Sequence, residues 1–320
     1  MAAGDRVLGL DVGATKFRIA VAGPDGRAER TVESPTRARR GPEAVIEELI
    51  GRLSAVASAT TPRPTALGVG VAAQVDARGT VRFAPNLRWA DVPLGARLEE
   101  GTGLPVRVLN DVRAATVAEW RLGAGRGATD LVCLFDGTGL GGGVVSGGRL
   151  LIGAGNTAGE LGHLTVVSGG RRCTCPNAGC LEAYVGGWAI AARAREAARA
   201  DADGAARLVA RAGGRLDGVT AEAVLTEAAA GDAFCGRLKA ETREYLAAGL
   251  VGIANAFNPS TIVGGGGIFD GAPDLLSDAL ALARPRMLPS VGESLRLAPS
   301  QIGAGAVAIG AATWARGGLA

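Results

Sequence analysis

Apolar positions along this chain fall into two spacings, and the spacings separate strands from helices. Val7 to Leu10, Phe17 to Ala22, Ala66 to Val71, Pro105 to Leu109, Leu131 to Phe135 and Thr261 to Val263 are short apolar runs of strand length. Between them apolar residues recur at steps of three and four. Pro42 opens one such helix, with Val45, Ile46, Leu49, Ile50, Leu53 and Val56 on a single face. Further helices are predicted over about 113–121, 188–200, 220–230, 232–257, 271–284 and 302–315, with Thr220 as an N-cap and Asn258-Pro259 as a stop. Strands alternating with helices define an α/β chain.

One arrangement occurs twice. The first strand leads through D-V-G-A-T-K (Asp11 to Lys16) into a second apolar run, and Gly23-Pro24-Asp25-Gly26 turns the chain back. Leu131 to Phe135 leads through D-G-T-G-L-G-G-G (Asp136 to Gly143) into Val144-Val145-Ser146, which Gly147-Gly148 turns. Acid, glycine and hydroxyl take corresponding places between apolar strands, which suggests two copies of one α/β unit facing each other. A tip of this kind offers backbone N–H groups, a carboxylate and a hydroxyl, a set that holds phosphate oxygens or a hydrated cation. Taken alone, either tip reads equally well as an ordinary hairpin. Asn110-Asp111 lies where a strand hands over to a helix, the position of an N-cap and also of ligands in α/β sheets. The run Gly264 to Gly267 permits either a tight strand-to-helix turn or the close approach of a flat ring.

Composition narrows the classes. The chain has 320 residues, long enough for two domains, with 48% hydrophobic and 20% charged residues. A net charge of +3 gives no bulk electrostatic case for nucleic acid. No apolar leader precedes Asp5 and Arg6, and no apolar run is long enough to span a bilayer, so a cytoplasmic protein with reduced thiols is expected and no membrane contact. No low-complexity linker marks a boundary, so the domains are expected to interleave.

The single His and three of the 5 Cys fall in one stretch. It reads G-E-L-G-H from Gly159, then C-T-C-P-N-A-G-C-L-E from Cys173. His163, Cys173, Cys175 and Cys180 supply the three thiols and one imidazole of a closed tetrahedral zinc site, against the plainer reading of small cysteines clustered by chance. Such a metal would also fix Glu160 and Glu182, which flank its ligands. Anchored carboxylates beside an imidazole edge can grip the hydroxyls of a small polyol. Cys133 and Cys235 stand alone in apolar contexts and read as structural.

These segments together resemble the ROK family of bacterial sugar kinases and its glucokinases. The matching stretches are D-V-G-A-T-K, P-N-L-R-W, N-D, D-G-T-G-L-G-G-G, G-E-L-G-H, C-T-C-P-N-A-G-C-L-E and I-V-G-G-G-G, in family order from near residue 7 to near residue 310. The resemblance implies the actin-like ATPase (hexokinase-type) fold, two lobes with a duplicated α/β core and a cleft between them. Residues 1–112, completed by the helix at about 302–320, would form the small lobe, and 113–301 the large lobe with the zinc loop. It implies ATP, Mg²⁺ and a structural Zn²⁺, a hexose substrate, and a homodimer or homotetramer. By resemblance Asp111 is the catalytic base. Asn86, Asn110, Asp111, Glu160, His163 and Glu182 are sugar contacts, with His163 using one ring nitrogen for zinc and presenting its other edge to the sugar. Asp11, Gly13, Thr15 and Lys16 form the first phosphate loop, Thr138 and Gly139 the second, and Gly265 and Gly266 lie by the adenine.

The implied activity is ATP-dependent phosphorylation of the 6-hydroxyl of glucose, a glycolytic step. N-acetylglucosamine, N-acetylmannosamine and mannose kinases share the motifs, and a non-catalytic sugar-binding relative is a further alternative. A transcription regulator of the family would need a DNA-binding module before Val7. A zinc module in an unrelated α/β enzyme leaves the paired glycine turns unexplained. The chain departs from the family at Ala14, at Ala72-Ala73-Gln74, at Arg113 and at Pro176, and the second and third of these bear on which sugar is taken. Zinc is expected to matter for the sugar far more than for ATP, because neither glycine turn adjoins the metal loop in sequence.

Overall fold

The computed structural model describes residues 5–317, and it is built on two five-stranded sheets and a small three-stranded one. In chain order the strands are β1 (Val7–Val12), β2 (Lys16–Ala22), β3 (Ala28–Pro35), β4 (Leu67–Val71), β5 (Gln74–Val75), β6 (Val81–Ala84), β7 (Trp89–Val92) and β8 (Val106–Asn110). They continue with β9 (Leu131–Asp136), β10 (Leu140–Ser146), β11 (Arg149–Leu150), β12 (Thr261–Gly265) and β13 (Arg296–Pro299). The first sheet has the order β3-β2-β1-β4-β8 and the second β11-β10-β9-β12-β13. In the first, β1 pairs antiparallel with β2 and parallel with β4, and β4 pairs parallel with β8. In the second, β9 pairs parallel with β12 and β12 with β13. Each sheet is thus a meander of three strands extended by two parallel ones. The repeat suggested by the two acid-glycine-hydroxyl turns is this duplicated topology. Parallel strands need both faces covered, which is why β4 and β12 are apolar or glycine at nearly every position and buried throughout.

The chain forms two compact units. Among the described residues, one comprises 5–129, 143–159 and 301–317, the other 130–142 and 160–300. The helix Asp111–Leu122 belongs to the first unit because it packs on the last helix, Ala306–Ala315, whereas the sequence reading placed the break at residue 112.

The core of the first unit gathers Leu8, Leu10, Phe17, Ile19, Leu49, Leu53 and Val69 among others, all buried. The helix Ala306–Ala315 covers β1 and β4 at a separation that only glycine and alanine allow. A Cβ on Gly9 would lie 1.9 Å from the Ala308 carbonyl oxygen, and one on Gly68 would lie 1.8 Å from that of Ala311. On the helix itself, a Cβ on Gly310 would lie 1.7 Å from the Ala114 carbonyl oxygen. Backbone cannot yield as a side chain does, so Gly310→Ala is expected to destabilise the fold by about 2–3 kcal/mol, even though alanine gains about 1 kcal/mol of helix propensity. Gly252→Ala is the control, since nothing lies within 4 Å of its added Cβ. Urea unfolding midpoints should fall for the first and hold or rise for the second.

The second unit is mostly helical outside its sheet. Its longest helix, Ala233–Phe257, packs against Ala221–Ala229 and Pro273–Ala283. Asp232 caps it by accepting the Cys235 N–H at 2.8 Å, and Asn258 ends it in the left-handed conformation at φ 43°. Thr220 caps its own helix through the Ala223 N–H, as predicted. The final helix begins at Ala306, not 302, because residues Gly303–Gly305 take a 3₁₀ turn first. Among the described residues no helix is long and apolar enough to cross a membrane.

Candidate functional site

In the first unit three parallel strands bring polar groups to one edge. The register sets Asp11 beside Gly70 and Val71 beside Asn110, so the carboxyl ends of β1, β4 and β8 align. Asn110 is the N-cap of the following helix: its Oδ1 accepts the Arg113 N–H at 3.1 Å. Its Nδ2 donates to Asp111 Oδ1 at 3.0 Å and to the Ala73 carbonyl at 3.4 Å. Asp111 Oδ1 also accepts the Val112 N–H at 2.9 Å. Capping and site are therefore divided between two neighbours, since Asn110 does the capping and its amide holds the carboxylate of Asp111.

Asp11 responds to that carboxylate. Burial pushes its pKa up to about 7, and repulsion from Asp111 adds to the rise, with Arg18 and Lys16 pulling the other way and Glu33 adding a smaller push upward. The folded protein then keeps a proton on Asp11 at pH values where the unfolded chain, with an ordinary pKa near 3.8, has released it. The folded state binds more protons between these values, so this group makes stability fall as pH rises from about 4 to 7 and level off above. Without added Mg²⁺, Asp11→Asn should be more stable than the unsubstituted protein at pH 8 by about 1–3 kcal/mol, a difference that shrinks toward zero near pH 4. Chemical denaturation across that range checks it. A constant difference would remove Asp11's titration as its source.

Around Asp11 the hairpin tip is tied by Thr36, whose Oγ1 donates to the Gly13 carbonyl at 2.6 Å and whose N–H donates to the Thr15 carbonyl at 2.9 Å. Lys16 is exposed and pairs with Glu33 at 3.0 Å. Asn86 is exposed on the turn between β6 and β7. Arg113, one of the departures that bear on the sugar, is a buried tie. Its guanidinium donates to Asn156 Oδ1 at 3.3 Å and to the Asn156 carbonyl at 2.7 Å, while Asn156 Nδ2 reaches the Val75 carbonyl at 2.8 Å.

In the second unit the four soft ligands converge. His163, Cys173, Cys175 and Cys180 place one donor atom each within 4.8 Å of one another. His163 Nδ1 lies 3.6 Å from Cys173 Sγ, and Cys175 Sγ lies 3.6 Å from Cys180 Sγ. A disulfide is far shorter, about 2.05 Å. Thiolates each about 2.3 Å from one tetrahedral zinc would be about 3.8 Å apart, so the donor set fits that ion. Nδ1 is the nitrogen turned to the thiols, which leaves Nε2 at the other edge. The loop closes on itself: the Cys173 N–H donates to the Asn177 carbonyl at 3.1 Å, and Asn177 Nδ2 bonds Thr165 Oγ1 at 2.8 Å and Cys180 Sγ at 3.4 Å. Gly179 sits at φ 84°, with the Val167 carbonyl oxygen 1.7 Å from where its Cβ would be, so no other residue fits.

Glu182 carries this loop to the glycine turn. It is buried, and its Oε1 accepts from Thr174 Oγ1 at 3.2 Å and from Trp188 Nε1 at 3.1 Å. Its Oε2 accepts the Leu140 N–H at 3.1 Å. A Cβ on Gly139 would come 2.5 Å from that oxygen. Thr138 and Gly137 in turn accept the N–H groups of Trp188 and Gly187 at 2.9 and 3.0 Å. Glu160, by contrast, is exposed. Nothing in sequence spacing pointed to Thr174 or Trp188.

Asp136 ends β9 as Asp11 lies near the end of β1. It is fully buried, and neither carboxylate oxygen has a hydrogen-bond partner among the described residues. Burial first and Glu182 second hold its pKa well above the usual carboxylate range. Gly266, at φ 95°, packs on the same residue, its Cβ position 2.4 Å from the Asp136 carbonyl oxygen. The close-turn requirement therefore accounts for Gly266, and Gly267 beyond it is exposed with nothing within 4 Å of an added Cβ.

The chain belongs to the ROK family, whose model matches residues 7–317, and its paired sheets are the duplicated core of the actin-like ATPase fold. It is 35% identical over 315 residues to a glucokinase of Streptomyces coelicolor, covering 97% of each chain. A crystal structure of a ROK family glucokinase from Streptomyces griseus in complex with glucose and AMPPNP superimposes with a TM-score of 0.81 at 34% identity, covering 98% of this chain and 100% of that one. The ROK hexokinase of Thermus thermophilus superimposes with a TM-score of 0.82, also at 34% identity, covering 97% of this chain and 98% of that one.

Proposed function

We propose that this protein is an ATP-dependent hexose kinase that phosphorylates the 6-hydroxyl of glucose. Similarity along the whole chain to glucokinases, one of them bound to glucose and AMPPNP, supports the reading. The observation that carries it is the carboxylate pair: Asp111, oriented by Asn110 at the end of β8, lies close enough to Asp11 to raise its pKa. A base for the sugar hydroxyl and a second carboxylate for the donor's cation are what phosphoryl transfer asks of this edge. Asp111 accepts the hydroxyl proton. Mg²⁺, when it enters with ATP, would supply charge neutralisation at the phosphates, and Asp11 is the residue to hold it through water. The mutual repulsion of Asp11 and Asp111 fits a neighbouring cation.

The backbone of the Asp11–Lys16 turn and of Thr138 and Gly139 supports the phosphates, and Gly265 and Gly266 border the adenine. Asn86, Asn110, Glu160 and the free edge of His163 contact the sugar. Glu182 serves that site by fixing the loop that bears the metal ligands. Zinc is structural, because four protein ligands leave no open position for a water nucleophile. We place the enzyme in the cytoplasm, at the entry to glycolysis, as a homodimer or homotetramer.

A coupled ADP-release assay with glucose, mannose, N-acetylglucosamine and N-acetylmannosamine tests the reading. Glucose should give the highest kcat/KM with ATP and Mg²⁺, and EDTA in excess of Mg²⁺ should abolish turnover. Preference for an N-acetylhexosamine would replace the substrate, and no ADP with any sugar would remove the activity.

A further inference from the structure

Two of the sequence departures, Ala72-Ala73-Gln74 and Arg113, meet in one hydrogen-bonded cluster of the first unit. Asn110 accepts the Arg113 N–H, and its amide donates to the Ala73 carbonyl. The Arg113 guanidinium donates to both oxygens of Asn156, the side chain's at 3.3 Å and the backbone's at 2.7 Å. Asn156 Nδ2 donates in turn to the Val75 carbonyl at 2.8 Å. Three segments are thereby tied together: the Asp111 end of its helix, the stretch leading into β5, and the loop that precedes Glu160.

That loop, residues 152–159, turns inward at Asn156. Asn156 is its one buried residue, and the others are exposed or half-buried. Gly153, Asn156 and Gly159 all have positive φ, at 70°, 56° and 92°. The Asn156 N–H donates to the Gly153 carbonyl at 3.3 Å, and the Ala158 N–H to the Ile152 carbonyl at 3.1 Å. A left-handed asparagine with both side-chain polar atoms engaged is fixed from several sides, as positions kept for function are. Burying an arginine to fix it is costly unless its hydrogen bonds are made, and here the fork takes two oxygens of one residue.

We infer that the Arg113–Asn156 clasp sets which hexose is taken, by holding this loop as a wall that does not yield to an N-acetyl group on the sugar ring. The inference rests on the hexose-kinase reading, in which the loop runs directly into the sugar contacts Glu160 and His163. Arg113 is 2% and Asn156 8% exposed, so both act as positioning residues and not as sugar contacts. A site rejects a larger substrate by the energy needed to move its wall. A surface loop without its inward tie moves at little cost, and the larger sugar then enters. The clasp thus selects against added bulk and not for a particular hydroxyl.

The test compares kcat/KM for glucose and for N-acetylglucosamine across a set of variants. Arg113→Met removes both bonds to Asn156. It should raise kcat/KM for N-acetylglucosamine about fivefold or more in absolute terms, while the value for glucose holds or falls. Loss of stability alone produces no such gain. Asn156→Gly accepts the left-handed backbone and removes the side-chain bonds to Arg113 and Val75, so it should act in the same direction. It also serves if Arg113→Met does not fold. The double variant should go no further than the larger single effect, because both changes break one clasp. Arg113→Lys keeps a donor for one oxygen and should retain part of the discrimination. Thr220→Ala, which removes a helix cap in the second unit, should lower stability and leave the ratio unchanged.

Calorimetric binding of the two sugars without ATP reads the same ratio independently of turnover. Absence of ADP with every sugar would remove the kinase reading, and the binding ratio would then decide the clasp. A ratio unmoved in both single variants would overturn the inference and leave the kinase reading standing. Additive effects in the double variant would overturn it too. So would an unsubstituted protein that takes N-acetylglucosamine as readily as glucose, or that binds neither.

Discussion

Replacing Asp111 with Asn should lower kcat by about 10²–10⁴-fold and leave the protein folded. The fold tolerates the change because the helix cap is Asn110, not Asp111. Asn also keeps an oxygen for the Val112 N–H that Asp111 Oδ1 accepts. What it loses is the capacity to take a proton, and the loss should appear in kcat with the KM for glucose nearly unchanged. The same substitution removes a negative charge beside Asp11, so the pKa of Asp11 should drop from about 7. That drop can be read by titrating the variant without any substrate, which separates the electrostatic consequence from the catalytic one. Turnover within a few-fold of the unsubstituted protein would end Asp111's assignment as base. An unmoved Asp11 titration would contradict the pairing of the two carboxylates.

Cys175→Ser should have the second large effect, and its reach is wider than sequence spacing implies. Metal analysis should give about one zinc per chain for the unsubstituted protein, and the variant should retain far less. Loss of the ion leaves Cys173, Cys180 and His163 without a common centre, so the KM for glucose should rise steeply. Sequence spacing alone predicts a much smaller effect on ATP, because neither glycine turn adjoins the metal loop in the chain. In the fold Glu182, two residues beyond Cys180, accepts the Leu140 N–H at the end of that turn. A loosened metal loop therefore loosens the turn, and the KM for ATP should rise as well. Glu182→Gln, with zinc retained, isolates this link: its effect should fall on ATP at least as much as on sugar. A variant depleted of zinc with both KM values unchanged would refute the link and the structural role of the metal together.

What could be read from the chain alone followed from rarity and repetition. One His and three Cys in a single stretch leave few alternatives, and the structure brings those four side chains together. Two acid-glycine-hydroxyl turns between apolar runs correspond to the same junction in two sheets of equal topology. Segments whose pairing is exposed were harder to see. β3 reads A-E-R-T-V-E-S-P and is largely exposed at the edge of its sheet, so no apolar run announces it. Phe83 to Trp89 carries Pro85 and Asn86, residues typical of a loop, yet its two ends lie in β6 and β7, because a four-residue strand with a half-exposed face carries almost no periodicity. The contacts that decide the site's behaviour were out of reach of any spacing rule. Arg113, a departure that bears on the sugar, places its guanidinium on Asn156, 43 positions away, a contact that no spacing rule predicts. Asp136 looked like the counterpart of Asp11, and only its burial without a partner distinguishes the two.

The helix Ala306–Ala315 gives the order of synthesis a role in folding. Gly9 and Gly68 leave backbone bare on the sheet face that this helix covers, and they emerge from the ribosome about 300 and about 240 residues before the helix does. Until residues beyond 301 are made, the first unit has no lid for that face, while every residue of the second unit has already been translated. The unit that begins later in the chain is thus the earlier one to be complete, and the nascent amino-terminal sheet waits with an uncovered apolar surface for which chaperones and aggregation compete.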